Sequence, residues 1–503
     1  MVGLAERESA SDLGQLTAEV DVVTIDDRSE AGFEALSDRY RCGKPTMSQA
    51  ALTSNFPPLR LVLSMPGEAS SHYELALMYA RGEGVPQDAA EALMWCRKAA
   101  DQDYALAQYA LARMYSVGQG VPQDAAEALM WCRKAADQGY ALAQYALARM
   151  FSLGEGQPQD HTEAAKWYRK AAQQGCDQAQ NDLGVMYQIG QGELQDLGEA
   201  VAWYREAAEQ GHARAQNSLG YMYESGRGVP QDHAQAVEWY RKAADQGFFV
   251  AQHNLGVMYE RGRGVAQNSA EALRWLRKAA ERGFASAQNN LGYLYEHGRA
   301  TPQDHAEAAK WYREAAEQGD AHAQNNLGVL YESGQGVAQN YAEARKCFRE
   351  AADQGFPVAQ YNLGVMCQNG QGAPKDYAEA LRWFRAAADQ NNASAQFSLG
   401  VLYNKGHGVE QDSAEAAKWY RKGADQGDAA AQLNLGIMYY RGRAMPQDYV
   451  EGHKWLNLAA SQFLPSEAEK RARAVKNRDI VAKKMTLSQI AEAQTLAREW
   501  KPR

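Results

Sequence analysis

The sequence predicts an all-α fold, an α-solenoid built from about eleven helix-turn-helix repeats of 36 residues. Tryptophan recurs at a fixed interval, apolar residues within each interval follow helical spacing, and glycine and aspartate mark the same turn positions in successive intervals. Cys347 stands where the eighth tryptophan would fall. The recurring tryptophans, separated by 36 residues or a multiple of it, are Trp95, Trp131, Trp167, Trp203, Trp239, Trp275, Trp311, Trp383, Trp419 and Trp455.

The first half of each repeat predicts a helix, here called helix A. In the repeat that begins at Ala213, the residues Leu219, Gly220 and Tyr223 recur at helical spacing and therefore share one face. Residues 225–228, which read SGRG, contain two glycines. Glycine adopts the left-handed conformation in which helices commonly end. Helix A is therefore expected to stop at this turn.

The second half predicts helix B, which begins after an aspartate or asparagine. Asp124 with Glu127 and Asp304 with Glu307 illustrate a pattern that recurs in all eleven repeats. It predicts a capping box, in which each of the two side chains bonds the backbone amide of the other residue. Because each cap is worth about 1 kcal/mol, the pattern fixes where every B helix begins.

Helix B carries an apolar stripe that one hairpin cannot bury. Trp275, Leu276, Ala279 and Ala280 lie at spacings of three and four residues. A single hairpin has no partner for this stripe, so neighbouring hairpins must stack and share a core. The repetition therefore follows from packing, since each unit is the partner of the next.

The repeats divide the chain into three segments. Residues 69–464 carry the eleven repeats without insertion or deletion. Residues 1–68 contain three closely spaced prolines near their end and predict a partly disordered N-terminal segment. Residues 465–503 are rich in lysine and arginine and predict a helical C-terminal cap. The basic face of this cap is either solvated or a docking site for an acidic partner.

Composition narrows the class of partner and the compartment. The chain has 53 Lys and Arg against 62 Asp and Glu, a net charge of −9, which disfavours nucleic acid. No apolar run approaches the roughly 18 residues needed to span a bilayer, so we expect no membrane insertion. The N-terminal residues lack the basic and apolar regions of an export signal, and six cysteines are too few for a disulfide framework. We predict a cytoplasmic protein, or a periplasmic one if the start site is misassigned.

Other motifs do not indicate catalysis or a metal site. His161, His233 and His305 open B helices two repeats apart, which is too far for one metal ion. No paired carboxylates or nucleophile with a base stand outside the repeat pattern, so we predict no catalytic residue, no metal and no cofactor. Cys347 and Cys367 replace aromatic residues and predict local underpacking, with a redox pair as the alternative.

Residues 69–464 resemble the Sel-like repeat (SLR) family, relatives of the tetratricopeptide repeats, through the pattern A-x-x-x-L-G-x-x-Y-x-x-G-x-G-V-x-Q-D-x-x-x-A-x-x-W-Y-x-x-A-A-x-x-G. Residues 482–502 are similar to the final helix of bacterial members. The resemblance implies a right-handed α-solenoid of antiparallel helix pairs and a non-catalytic scaffold or adaptor for other proteins or peptides, here predicted to be a monomer. The alternative is a hydrolase or cell-wall-acting enzyme of the exported branch, whose repeated cysteine pairs this chain lacks.

The resemblance also implies which residues would contact a partner. Positions two, five, nine and twelve of helix A face the concave groove in tetratricopeptide-like repeats, and we call these positions the A face. Asparagine side chains at its centre both donate and accept hydrogen bonds, and the glutamates there favour a basic or polar peptide. The predicted partner-binding residues are Tyr109, Arg113, Tyr145, Arg149, Asn217, Tyr221, Glu224, His253, Glu260, Asn289, Tyr293, Glu296, Asn325 and Glu332.

Overall fold

The computed structural model describes residues 68–502, and the predictions for the segment before Glu68 lie outside the described residues. The described chain contains twenty-four α-helices, one short 3-10 helix and no strand, which confirms the predicted all-α fold of helix-turn-helix repeats. The A helices are α1 (Ala69–Arg81), α3 (Ala105–Val117), α5 (Ala141–Leu153), α7 (Asp177–Ile189), α9 (Ala213–Ser225), α11 (Phe249–Arg261), α13 (Ala285–Glu296), α15 (Ala321–Ser333), α17 (Pro357–Asn369), α19 (Ala393–Lys405) and α21 (Ala429–Arg441).

Each A helix is followed, after a turn, by the B helix of the same repeat. The B helices are α2 (Ala89–Ala100), α4 (Ala125–Asp137), α6 (His161–Gln173), α8 (Leu197–Glu209), α10 (His233–Asp245), α12 (Ser269–Ala280), α14 (His305–Glu317), α16 (Tyr341–Asp353), α18 (Tyr377–Asp389), α20 (Ser413–Asp425) and α22 (Tyr449–Gln462). The A and B helices therefore alternate in register with the 36-residue period of the sequence.

The turn between the two helices is held by a glycine and a glutamine. In repeat 2, Gly118 adopts the left-handed conformation with φ 76°, and its N–H donates to the carbonyl oxygen of Met114. The Nε2 of Gln123 donates to the carbonyl oxygen of Ser116 over 2.8 Å. This glutamine therefore satisfies one of the carbonyls that the end of an A helix leaves open. The equivalent bond recurs in most repeats.

The N-caps of the B helices are confirmed, but the reciprocal half of the predicted capping box is wrong. Asp124 Oδ1 accepts from the backbone amides of Ala126 and Glu127, each over 3.0 Å. An Asp or Asn side chain accepts from one or two backbone amides at the start of every B helix. Glu127 does not bond back to its cap. Its Oε2 accepts from the indole Nε1 of Trp131 over 3.1 Å, because the buried indole N–H also needs an acceptor.

The two helices of a repeat approach closely because a glycine of helix A lies against a large side chain of helix B. In repeat 7, a Cβ added to Gly292 would lie 2.7 Å from ring atoms of the fully buried Tyr312. In repeat 2 the equivalent positions hold Ala112 and Cys132, both buried. A larger residue on helix A thus accompanies a smaller one on helix B, which keeps the packed volume nearly constant.

Consecutive repeats are joined through backbone carbonyls. The Nε2 of Gln108 in α3 donates to the carbonyl oxygen of Ala100 at the end of α2 over 3.2 Å, and its Oε1 accepts from Gln138 over 2.8 Å. The glycine at the next turn, Gly120, lies so close to the carbonyl oxygen of Ala89 that a Cβ there would overlap it. Repeat 2 therefore contacts repeat 1 at both ends of α2, the B helix of repeat 1.

The chain divides into two compact units, the first ending at Ala215 and the second beginning at Gln216. The first unit contains repeats 1–4, and the second contains repeats 5–11 with two further helices, α23 (Ala468–Ala482) and α24 (Leu487–Glu499). Both α23 and α24 pack against α22. Among residues 68–502, no helix is both long enough and apolar enough to cross a membrane.

Candidate partner-binding surface

The predicted partner-binding residues all lie on A helices. Those of repeats 2 and 3 belong to the first compact unit, and those of repeats 5–8 belong to the second. Their surroundings differ by position along the helix. Side chains at positions five and twelve mostly contact other residues of the protein, whereas side chains at position nine are partly exposed to solvent.

In repeats 5–8, the residue at position five is hydrogen-bonded to an asparagine of the next repeat, and we call this series of bonds the amide ladder. The Oδ1 of Asn217 accepts from Asn254 over 3.0 Å. The Oδ1 of Asn289 accepts from Asn326 over 3.1 Å, and the equivalent bond to Asn325 is 3.0 Å long. In each case the donor belongs to the next repeat. The side-chain oxygens at position five of these repeats therefore join neighbouring A helices.

The burial of the ladder agrees with a role in packing. Asn289 is 5% exposed and Asn325 is 7% exposed. A buried amide requires hydrogen-bond partners, and leaving one unpaired costs about 1–3 kcal/mol. These asparagines therefore stabilise the stacking of repeats, a contribution that the sequence analysis did not assign to them.

One member of the amide ladder is a histidine. The Nε2 of His253 lies 2.9 Å from the Nδ2 of Asn290, and its Nδ1 lies 3.2 Å from the Oδ1 of Asn254. Burial lowers the pKa of His253 to about 4. The neutral ring therefore accepts at Nε2 and donates from Nδ1. This places an imidazole where the neighbouring repeats use an amide.

The carboxylates at position twelve turn toward the protein. Glu224 accepts from the hydroxyl of Tyr240 over 2.7 Å, and Glu296 accepts from the hydroxyl of Tyr312 over 2.6 Å. Glu260 pairs with an arginine of the next repeat. The prediction of a basic peptide assumed carboxylates that face the groove. The structure instead directs these three carboxylates to partners within the chain.

Glu332 differs because its repeat lacks the tyrosine. Phe348 occupies that position and has no hydroxyl to donate. Glu332 accepts only a long hydrogen bond, of 3.4 Å, from Gln371, and burial raises its pKa. Among the acidic residues of the A face, Glu332 is therefore the one whose charge the protein compensates least.

Position nine places aromatic rings beside cationic groups. The Nη1 of Arg227 lies 3.5 Å from the hydroxyl of Tyr221. The guanidinium of Arg299 lies 5.2 Å from the ring centroid of Tyr293, whose ring also contacts His297 at 4.1 Å. Tyr221 and Tyr293 are half-buried. Their exposed portions form a mixed aromatic and cationic surface.

In the first unit the tyrosines of the A face are also packed. The ring of Tyr109 meets that of Tyr140 edge-on at 5.5 Å. Burial and the nearby Asp182, which accepts its hydroxyl, raise the pKa of Tyr145 well above its usual value. Arg113 is half-buried and Arg149 is exposed. Arg149 is therefore the most accessible of the four predicted partner-binding residues in this unit.

Close to the two cysteines that replace aromatic residues in repeats 8 and 9, Arg345, Arg349 and Glu379 form a charged cluster that the sequence did not predict. Arg345 lies in a slot that nine of the ten other repeats fill with Leu, Val or Ala, and its Nη2 lies 2.6 Å from Glu379 Oε2. In seven other repeats the arginine equivalent to Arg349 donates to the hydroxyl of a tyrosine 18 residues later. Position 367 holds cysteine instead, and Arg349 pairs with Glu379. Burial opposes ionisation of Glu379, but the bonds from Arg349 and Cys367 and the charge of Arg345 outweigh it and lower its pKa to about 2.

Cys347 and Cys367 are both buried free thiols. Burial raises the pKa of each to about 11, so neither is a thiolate at neutral pH. Within residues 68–502, no group of three or more His, Cys, Asp or Glu residues is placed to hold a metal ion.

The fold and its regular surface define a helical repeat scaffold, a class typically used for protein–protein interaction. The chain belongs to the Sel1 repeat family, as the match of its residues to the family model shows. The matched segments are 69–104, 105–140, 141–176, 177–212, 213–248, 250–284, 285–320, 321–356, 357–392, 393–428 and 429–462.

The chain is similar to two solved structures. The chain is 38% identical to a protective antigen of uropathogenic Escherichia coli strains that displays an SLR fold; the match covers 89% of this chain and 94% of that chain, with a TM-score of 0.76. It is 34% identical to a Sel1 repeat protein from Oxalobacter formigenes, over 62% of this chain and 90% of that chain, with a TM-score of 0.49. No curated protein matches the sequence.

Proposed function

We propose that the protein is a non-catalytic scaffold that binds extended segments of other proteins along its A face. The observation that carries this proposal is the row of half-buried side chains at position nine in successive A helices of the second unit. The members of this row are Tyr221, Val257, Tyr293, Val329, Val365, Val401 and Ile437. Partly exposed apolar and aromatic side chains in a row are typical of interaction surfaces.

The spacing of this row suits an extended polypeptide. Packed helices lie about 8–10 Å apart, and the amide ladder bonds neighbouring A helices directly. An extended chain advances about 3.3 Å per residue, so about three residues span one repeat. In a bound segment with the polyproline II conformation, which has three residues per turn, every third side chain points the same way and would meet the next position-nine residue.

Selection from a random-peptide display library on the immobilised full chain tests the proposal. Selected peptides are labelled, and their affinities are measured by fluorescence anisotropy. Tyr221→Ser combined with Tyr293→Ser is expected to weaken binding, because both rings belong to the proposed surface. Arg274→Ser combined with Lys310→Ser changes exposed residues of B helices in nearby repeats and serves as the matched control.

Two results would contradict the scaffold proposal. One is the absence of any saturable peptide binding by a chain whose helical content is intact. The other is binding that the B-helix control abolishes and the tyrosine pair leaves unchanged. Turnover of a small substrate by the purified chain would instead support the enzymatic alternative, which no observation in the described residues favours. The proposed monomer is checked by light scattering of the purified chain.

A further inference from the structure

Four arginines lie at or just after the ends of the A helices of repeats 5–7. Arg227, Arg263 and Arg299 occupy the same turn position in successive repeats, and Arg261 is the last residue of α11. The charges of Arg263 and Glu260 both act on Arg261. Because Glu260 also pairs with Arg299, the side chains of Arg261, Arg263 and Arg299 lie near one another, and Arg227 holds the equivalent turn position one repeat earlier. We call the four arginines the arginine cluster.

The cluster carries more positive charge than its neighbours compensate. Glu224 and Glu260 are the carboxylates that act on Arg261. Glu224 accepts the hydroxyl of Tyr240, and the side chain of Glu260 is only 13% exposed. The side chain of Arg299, by contrast, is 44% exposed. Glu224 and Glu260 thus face the protein interior, while Arg299 reaches solvent. This exposed positive charge occurs in a chain whose net charge is −9.

Arg261 has a donor without an acceptor. Its Nη2 is buried and makes no hydrogen bond within the described structure. Burial, followed by repulsion from Arg263, lowers the pKa of Arg261. A buried cationic donor without a partner is unfavourable, so the native complement of such a group is an anion. Arg299 is the one member of the cluster that forms an ion pair within residues 68–502.

We propose that the arginine cluster binds carboxylate side chains in an acidic segment of a partner protein. This inference rests on the proposed function and names the chemistry of its partner. The planar guanidinium presents paired donors that match a carboxylate. Tyr221 and Tyr293 flank the cluster with half-buried rings, which suit the side chains of a polypeptide. A free inorganic anion would leave these rings without a contact.

Fluorescence anisotropy with defined peptides tests the proposal on the full chain. The probe is a fluorescein-labelled peptide of four Leu-Glu-Gly triplets, which matches the spacing of about three residues per repeat. The comparison peptide carries glutamine in place of glutamate. We expect the acidic peptide to bind at least about tenfold more tightly, and its affinity to fall as salt is added, because the contacts are ionic and partly exposed.

Variants of the cluster locate the site. Arg261→Gln combined with Arg263→Gln is expected to weaken binding of the acidic peptide about tenfold or more and to leave the glutamine peptide unchanged. Arg274→Gln removes an exposed arginine from helix B of the same repeat and should leave both affinities within about twofold. Hydrogen exchange of α11 in each variant verifies that the repeat remains folded.

Three results would overturn the proposal. Equal affinity for the acidic and glutamine peptides would remove the charge preference, and unchanged binding in the double arginine variant would place the site elsewhere. A Gly-Glu-Gly peptide that binds as tightly as the Leu-Glu-Gly peptide would mean a simple anion site. If peptides selected by display bind the A face but the acidic probe does not, only the partner chemistry fails. If neither binds, the scaffold proposal fails as well.

Discussion

Replacing Gly292 by alanine tests whether the contact between glycine and ring holds the two helices of a repeat together. The added Cβ would lie 2.7 Å from two ring atoms of Tyr312 and 3.2 Å from a third. Real Cβ atoms do not approach this closely, so α13 and α14 must separate or the ring must move. Tyr312 is fully buried, and its hydroxyl is bonded to Glu296, which restrains the ring.

The expected loss of stability follows from two opposing terms. Overpacking a core costs about 1–3 kcal/mol, while replacing a helical glycine by alanine returns about 0.5–1 kcal/mol. We therefore expect Gly292→Ala to lower the free energy of local opening by about 1–2 kcal/mol. Tyr312→Cys alone should cost about 3 kcal/mol or more, because it leaves a cavity and removes the donor to Glu296.

The double variant copies a pair that the chain already uses. Gly292→Ala with Tyr312→Cys reproduces Ala112 and Cys132 of repeat 2. We expect it to be more stable than the sum of the single effects predicts, by about 1–2 kcal/mol, because the smaller side chain accepts the added methyl group. Additive effects would show that the two positions do not pack against each other.

Hydrogen exchange measured by mass spectrometry is the suitable assay. Long repeat arrays do not unfold in one step, whereas exchange reports the opening of α13 and α14 themselves. Gly198→Ala is the matched control, since a Cβ there meets only Asp196, at 3.3 Å. Alanine stands at this position in repeats 1 and 2, so this variant should be more stable. Increased protection in Gly292→Ala would refute the packing argument.

Three further predictions concern single residues. Ala300 has φ 69° at a turn position that adjoining repeats fill with glycine; Ala300→Gly should therefore stabilise repeat 7 by about 1 kcal/mol in exchange measurements, and no gain would contradict this. The stability contributed by neutral His253 is complete above pH 6.5 and is lost as the pH falls toward about 4, because the unfolded chain binds the proton first. Hydrogen exchange of α11 at pH 5 and pH 7, corrected for intrinsic rates, should show this loss of stability. In His253→Asn the difference in stability between the two pH values should be smaller. Cys347 and Cys367 should resist alkylation at pH 8 and react in denaturant, because both thiols are buried and have raised pKa values; rapid native alkylation would show that repeats 8 and 9 open readily.

The sequence was sufficient to predict the helices but not the hydrogen-bond partners of their polar side chains. The recurring tryptophans and the caps such as Asp124 determine where helices begin, because those signals are local. The partner of Asn289 lies 37 residues later, at Asn326, and only the stacking geometry brings the two together. The inward turn of Glu296 likewise depends on a tyrosine of the following helix. The position of these residues in the repeat therefore did not indicate their contacts within the protein, which depend on how the helices stack.

The cluster around Glu379 shows a second limit. Arg345, Cys347 and Cys367 each depart from the repeat pattern, and each substitution viewed singly suggests a poorly packed site. Together they allow two arginines to share one carboxylate. Compensation of this kind joins residues of successive repeats, so it becomes visible only when their side chains are placed in space.

The overlap that any Cβ at Gly120 would make with the carbonyl of Ala89 also restricts how such a chain can change in length. Inserting or deleting a single residue within a repeat would move Gly120 away from the carbonyl oxygen of Ala89. Adding or removing a whole repeat would restore the same contact. Growth by complete duplication is thus the tolerated route, and a designer who lengthens this protein should splice at multiples of 36 residues.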